Sequence, residues 1–155
     1  MSDRQVVARN RRAYHDFEVL EKLEAGLVLL GPEVKVLRAG KASIAEAYAA
    51  FKDGELYLRD MHVPEYSHAG YAPHDPRRPR KVLLHRRQLR HLEDALARRG
   101  LTIVPLELYF ARGNAKVELA LARGRKHEDK REVMREKEAR RDMRGAVARK
   151  RARTR

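Results

Sequence analysis

The spacing of apolar residues changes several times along this chain, and each change predicts an element. Residues up to about Asn10 read as a flexible arm. From Tyr14 to Gly31, Phe17, Val19, Leu27 and Leu29 alternate with polar neighbours as in a strand. Leu20 and Leu23 fit a helix over 13–23 as well, so periodicity leaves both readings open. Pro32 suits the first turn of a short helix, and Gly40 suits its end. Between Ser43 and Val63 two apolar runs flank Asp53-Gly54, a pair that tolerates the positive φ angles of a tight hairpin. Leu56 and Leu58 alternate with Tyr57 and Arg59 on the returning strand. Residues 64–81 hold four of the six prolines and predict a surface loop. Leu89, Leu92 and Leu96 then recur at spacings of three and four before Gly100, an amphipathic helix with a basic outer face. Residues 101–122 alternate on both sides of "RGNA" and predict two long antiparallel strands, with Pro105 at an edge or a bulge.

Short strands, one main helix and no regular βαβ alternation predict a mainly β domain with added helices, an antiparallel barrel over residues 1–122. The remainder, 123–155, has Val133, Met134, Met143 and Val147 as its largest apolar groups. These are too few for a core, so the segment is expected to be disordered when the protein is alone.

Charge changes the picture most. The chain of 155 residues carries 36 Lys plus Arg against 22 Asp plus Glu, a net charge of +14. From Arg123 to Arg155 there are 15 basic and 6 acidic residues, so +9 of the excess sits in the tail. Such a block repels itself unless a polyanion neutralises it, and nucleic acid is the commonest one. An anionic membrane would require a Trp/Phe/Leu face that the tail lacks. Cysteine is absent, which excludes a disulfide framework and thiolate chemistry. The start "MSDRQVVARNRRAYHD" has no signal-peptide core, and no later run has the length of a membrane span, so a cytoplasmic protein is expected. The seven histidines show no metal-ligand spacing, so neither metal nor cofactor is expected. Glu107 and Glu118 read as a solvated sheet face, and no Ser/His/Asp arrangement emerges, so catalysis is not expected.

Three stretches carry candidate chemistry. "RAGKAS" lacks the first glycine and the hydroxyl of a nucleotide-binding loop. Gly40 either lets the backbone approach a phosphate beside Arg38 and Lys41, or merely ends a helix. "RRPRKVLLHRRQLR" is dense in cations, without interleaved acids, and favours phosphate contact, with Leu83 and Leu84 in the core. Tyr14, Tyr48, Tyr66 and Tyr71 can stack on exposed bases, or be buried in the core.

"NRRAYHDFEVLEKLEAGLVLLGPEVKVLRAGKASIAEAY", "RPRKVLLHRRQL" and "KVELALARGRKHEDKR" occur in that order. Together they closely resemble the small protein B family, whose members bind transfer-messenger RNA (tmRNA). The resemblance implies a barrel of oligonucleotide-binding (OB) type and a role in trans-translation without catalysis. The protein would bind the tRNA-like domain of tmRNA and bring it to stalled ribosomes. The tail would become helical in the vacant messenger channel near the small-subunit decoding centre. Elongation factor Tu and alanyl-tRNA synthetase would be partners only through the RNA, and the protein would act as a monomer.

By the same resemblance, Asn10, Glu33, Lys35, Arg38, Gly40, Lys41, Arg80, Lys81, Leu84 and Lys116 fall on the RNA face. Arg11, Arg12, Tyr14, Ser43, His85 and Arg86, from the same stretches, join them. Glu33 is expected to read a base edge, since a carboxylate accepts hydrogen bonds from guanine N1/N2 or cytosine N4. In the tail, Gly124, Lys126, His127, Asp129, Lys130 and Arg131 would contact the ribosome. The alternative is a structural ribosomal or generic RNA-binding protein whose tail threads ribosomal RNA.

Overall fold

A computed structural model describes residues 4–66, 74–98, 100–125, 135 and 138–141. The chain falls into two units, Met1–Gly124 and Arg125–Arg155. All named elements belong to the first. In chain order they are β1 (Arg4–Arg9), α1 (Ala13–Asp16), β2 (Phe17–Leu27), α2 (Gly31–Arg38), β3 (Tyr48–Lys52), β4 (Glu55–Arg59), β5 (Arg80–Leu83), α3 (Arg86–Leu96), β6 (Leu101–Ala111) and β7 (Asn114–Gly124).

Every strand pairing is antiparallel, and the ladder β6-β3-β4-β5-β2-β7 returns to β6. The result is the expected antiparallel barrel, closed on itself, with β1 added to β6. Two hairpins rest on local chemistry. Asp53 and Gly54 both have positive φ (52° and 78°), as do Arg112 and Gly113 (52° and 79°), the twist that two-residue turns require. For β2, alternation prevails over the helical reading. Only one turn, α1, forms, and Leu23, Ala25 and Leu27 then point inward while the strand pairs with β7. A bulge between Val19 and Glu21 leaves Leu20 exposed.

The barrel interior is filled by Leu56, Leu58, Ile103, Leu108, Val117 and Leu119, all fully buried. α3 plugs the barrel through Leu92 and Ala95, and α2 packs through Val36 and Leu37. The expected bulge at Pro105 lies between Pro105 and Glu107, where a residue without an N–H costs no ladder bond.

Three local expectations are corrected. The N-terminal residues are no arm, since Arg4–Arg9 pair with β6. The expected loop 64–81 ends in a strand, β5, bonded to β4 and β2. Leu83 is half-exposed rather than core, because β5 places it outward over Gly26.

Candidate nucleic-acid interface

α2 is the best-defined part of the candidate face. Leu30 precedes its first turn, and its N–H donates to Glu33 Oε1 at 2.8 Å, a side-chain cap that also favours a negative charge at this end. The helix ends in a Schellman arrangement: Gly40 N–H donates to Leu37 O and Lys41 N–H to Val36 O, with Gly40 at φ +73°. The second of the two sequence readings of Gly40 therefore holds for its amide, which closes the helix and is not free for a phosphate. Lys35 and Arg38 stand on the exposed face of α2, and Lys41 follows exposed beyond it.

Glu33 is 0% exposed. Beside the Leu30 N–H it accepts Arg78 Nε at 3.2 Å, Arg80 Nε at 2.7 Å, and an Nη2 donor from each of the two guanidiniums. Burial alone would raise its pKa, but the donors from Arg78, Leu30 and Arg80 outweigh it and hold the carboxyl below its ordinary value. Arg80, also 0% exposed, spends all five of its donors: on Glu33, and on the carbonyls of Met61 (2.8 Å), Arg78 (3.0 Å) and Pro76 (3.3 Å). Burial pulls the Arg80 pKa below its usual value, against the raising effect of Glu33. Glu33, expected to read a base edge, and Arg80, expected on the RNA face, are bonded to each other here. Both are occupied inside the protein and clamp α2 to the segment 76–80.

Asn10, also expected on the RNA face, is likewise bonded within the fold. It is 7% exposed; its N–H donates to Leu106 O at 2.8 Å and its Nδ2 to Pro105 O at 3.0 Å. It therefore ties the end of β1 to the β6 bulge. The two residues after it, Arg11 and Arg12, are exposed, as is Tyr14 at 49%. Lys22 stands over one face of the Tyr14 ring, 5.4 Å from its centroid.

The basic stretch 77–90 divides in two. Its acids were invisible in sequence because they come from other elements: Arg77 meets Glu46, Arg78 and Arg80 meet Glu33, and Lys81 donates to Glu55 at 2.8 Å. The Glu55 carboxyl lies below its ordinary pKa through that bond first and Tyr57 second. On α3, Arg86, Arg87 and Arg90 are exposed, and no carboxylate pairs with them among the described residues.

Part of the remaining accessible set lines two places. A cleft of about 450 Å³ between β1 and the segment after α2 is lined by Arg9, Arg11, Ser43 and their apolar neighbours. A smaller recess of about 140 Å³, sharing Val6 and Val7 with it, brings in Arg38 and Gly40. Leu84, His85 and Lys116 instead line a separate groove of about 420 Å³ with Glu24, Gly26 and Gln88, between β2 and the start of α3. His85 starts that helix, its N–H donating to Gln88 Oε1 at 3.0 Å. The first place offers Arg9, Arg11 and Arg38 to phosphates, and the second offers Lys116 and His85 beside Glu24.

Glu107 and Glu118 are not simply solvated. They stand in one cross-strand row with Glu24, and Arg4 bridges all three carboxylates while stacking on Tyr109 at 4.0 Å. Tyr109 donates to Glu24, and burial first, then that carboxylate, raises its pKa far above the phenolic range. Gly124 ends β7, exposed; Lys126, His127, Asp129, Lys130 and Arg131 lie outside the described residues, as does Tyr71.

Comparison with known proteins adds three findings. The sequence model described as SmpB protein matches residues 7–149. An SsrA-binding protein of Mycobacterium leprae is 54% identical over 140 residues, 90% of this chain and 88% of that one. An SsrA-binding protein of Acidothermus cellulolyticus is 48% identical over 149 residues, covering 96% and 94%. Among solved structures, a chain from "tmRNA-SmpB: a journey to the center of the bacterial ribosome" is 51% identical with a TM-score of 0.65. The match covers 82% of this chain and 93% of that one.

Proposed function

This chain belongs to the SmpB protein family, and from that premise we propose how its structure serves the family's task. It binds tmRNA in trans-translation, and its partners are that RNA and the ribosome. The folded unit grips the RNA at two places: with Arg11, Arg38 and Ser43 of the β1 cleft and its recess, joined by the exposed Arg12, Lys35 and Lys41, and with Leu84, His85 and Lys116 of the second groove, joined by the exposed Arg86. Tyr14 offers one ring face to a base. Asn10, Glu33, Gly40 and Arg80 act on the RNA only by holding these residues in place.

The protein carries RNA and makes or breaks no bonds. It works in the cytoplasm as a monomer, and the basic segment from Arg125 onward makes the ribosomal contacts. No helix among the described residues is long and apolar enough to cross a membrane.

The observation that carries the RNA reading is the set Lys35, Arg38 and Lys41. These three exposed cations lie along one helix and its cap, with no carboxylate partner among the described residues, in a chain matched to SmpB over nearly its whole length. Unpaired cations at one edge of a barrel have phosphate as their natural complement.

The test is binding of the full chain to tmRNA, to an ordinary tRNA and to a ribosomal RNA fragment across a salt series. A preference for tmRNA that persists at high salt is expected. Equal affinities that collapse together with salt would return the reading to a generic polycation.

A further inference from the structure

Arg38 is held in an unusual way for this molecule. Arg4, Arg9, Arg77, Arg78, Arg80 and Arg123 each meet a glutamate. Arg38 meets none among the described residues; instead its guanidinium centre lies 4.6 Å from the centroid of the Phe110 ring. Phe110 belongs to β6, opposite Gln5 of β1, and is 4% exposed, so the ring itself is fixed by the barrel. Together Arg38, Phe110, Gln5, Val6, Leu37 and Gly40 enclose the recess at the end of α2.

The two ways of fixing an arginine differ chemically. A carboxylate consumes guanidinium donors and cancels the charge. An aromatic face attracts the cation from above and leaves the donor edge unspent. A guanidinium lying on a ring keeps the planar fork that grips two phosphate oxygens at once, and has less freedom to lose on binding.

We infer that Phe110 is a positioning residue of the RNA interface: its ring holds the Arg38 guanidinium ready to grip one backbone phosphate of the RNA. The inference rests on the tmRNA-binding reading above. Phe110 touches no RNA itself, and its effect passes entirely through Arg38.

A double-mutant cycle on the full chain tests this, with tmRNA as the probe, across a salt series and with a melting curve for every variant. Phe110→Leu keeps an apolar side chain in the core and removes the ring. It should weaken binding about three- to fivefold, the worth of an exposed cation–π contact. It should also lower the salt slope, although no charge has changed, because a phosphate contact is loosened. In an Arg38→Ala background the same substitution should cost nothing further. Equal losses from Phe110→Leu in both backgrounds, or no loss with Arg38 present, would overturn the inference. If Phe110→Leu melts below the assay temperature, Phe110→Met takes its place, judged by the same outcomes. Should the unmodified chain show no preference for tmRNA over tRNA, the underlying reading fails instead, and the control distinguishes the two failures.

Discussion

Replacing Glu33 by glutamine separates a structural role from a contact role more sharply than any other substitution here. The amide keeps the shape but cannot neutralise Arg80, which is fully buried and bonded on every donor. Breaking a buried pair from one side leaves an uncompensated charge, and costs about 3–5 kcal/mol. For a domain of ordinary stability, about 5–15 kcal/mol, that is a large share, and it should lower the melting temperature by roughly 10–20 °C. Urea titration followed by circular dichroism measures it directly.

The acid limb gives a second reading of the same residue. Its folded pKa is depressed, so its contribution is complete above the unfolded value near 4.5 and is lost as pH falls below that toward the folded value. The wild-type chain should therefore lose stability in that window, and Glu33→Gln should lack this component of the slope. An unchanged urea midpoint with tmRNA affinity lost would refute the clamp and restore a direct contact by Glu33.

Two further substitutions and a truncation extend the argument. Asn10→Ala removes the donor to Pro105 O inside a buried bulge, and should cost about 1–3 kcal/mol in urea while tmRNA affinity falls only as far as the fold does. Gly40→Ala meets no neighbouring atom within 4 Å, so its expected cost, about 1 kcal/mol, comes from φ +73° alone; a loss of affinity without that loss of stability would put a ligand against Gly40. Ending the chain after Gly124, where β7 finishes, should leave tmRNA binding within a few-fold and abolish tagging in a reconstituted translation assay; equal losses in both would show that fold and tail do not divide the work.

What could be read from the sequence was what neighbouring residues decide. Asp53-Gly54, Arg112-Gly113 and the Pro32 to Gly40 interval carry their backbone preferences within a few positions, and the structure has turns and a helix there. β1 and β5 were not legible, because Arg4 finds its partner at Ala111 and Tyr57 pairs with Lys81, choices that only the assembled sheet makes. The partners of the candidate site's most informative residue were hidden for the same reason. Glu33 bonds the Leu30 N–H only three positions away, but its arginines lie 45 and 47 residues further on. A run of cations in sequence therefore looked unpaired when half of it was already neutralised. The exposed cations Lys35, Arg38 and Lys41 were legible because, among the described residues, no distant carboxylate claims them.

The closure of the barrel by β7 carries a consequence for how the protein is made. β2 leaves the synthesising ribosome early, yet its long partner begins at Asn114, so Phe17 waits for Gly124 and Gly26 for Lys116. Contacts this far apart in sequence make folding slow, since the chain between them must be closed before any pairing rewards it. Until the last strand emerges, β2 and β6 both present unsatisfied edges, which invite pairing with other chains. A nascent chain interrupted before residue 114 thus has no closed form to reach, and such fragments should be the ones that proteases and chaperones find first.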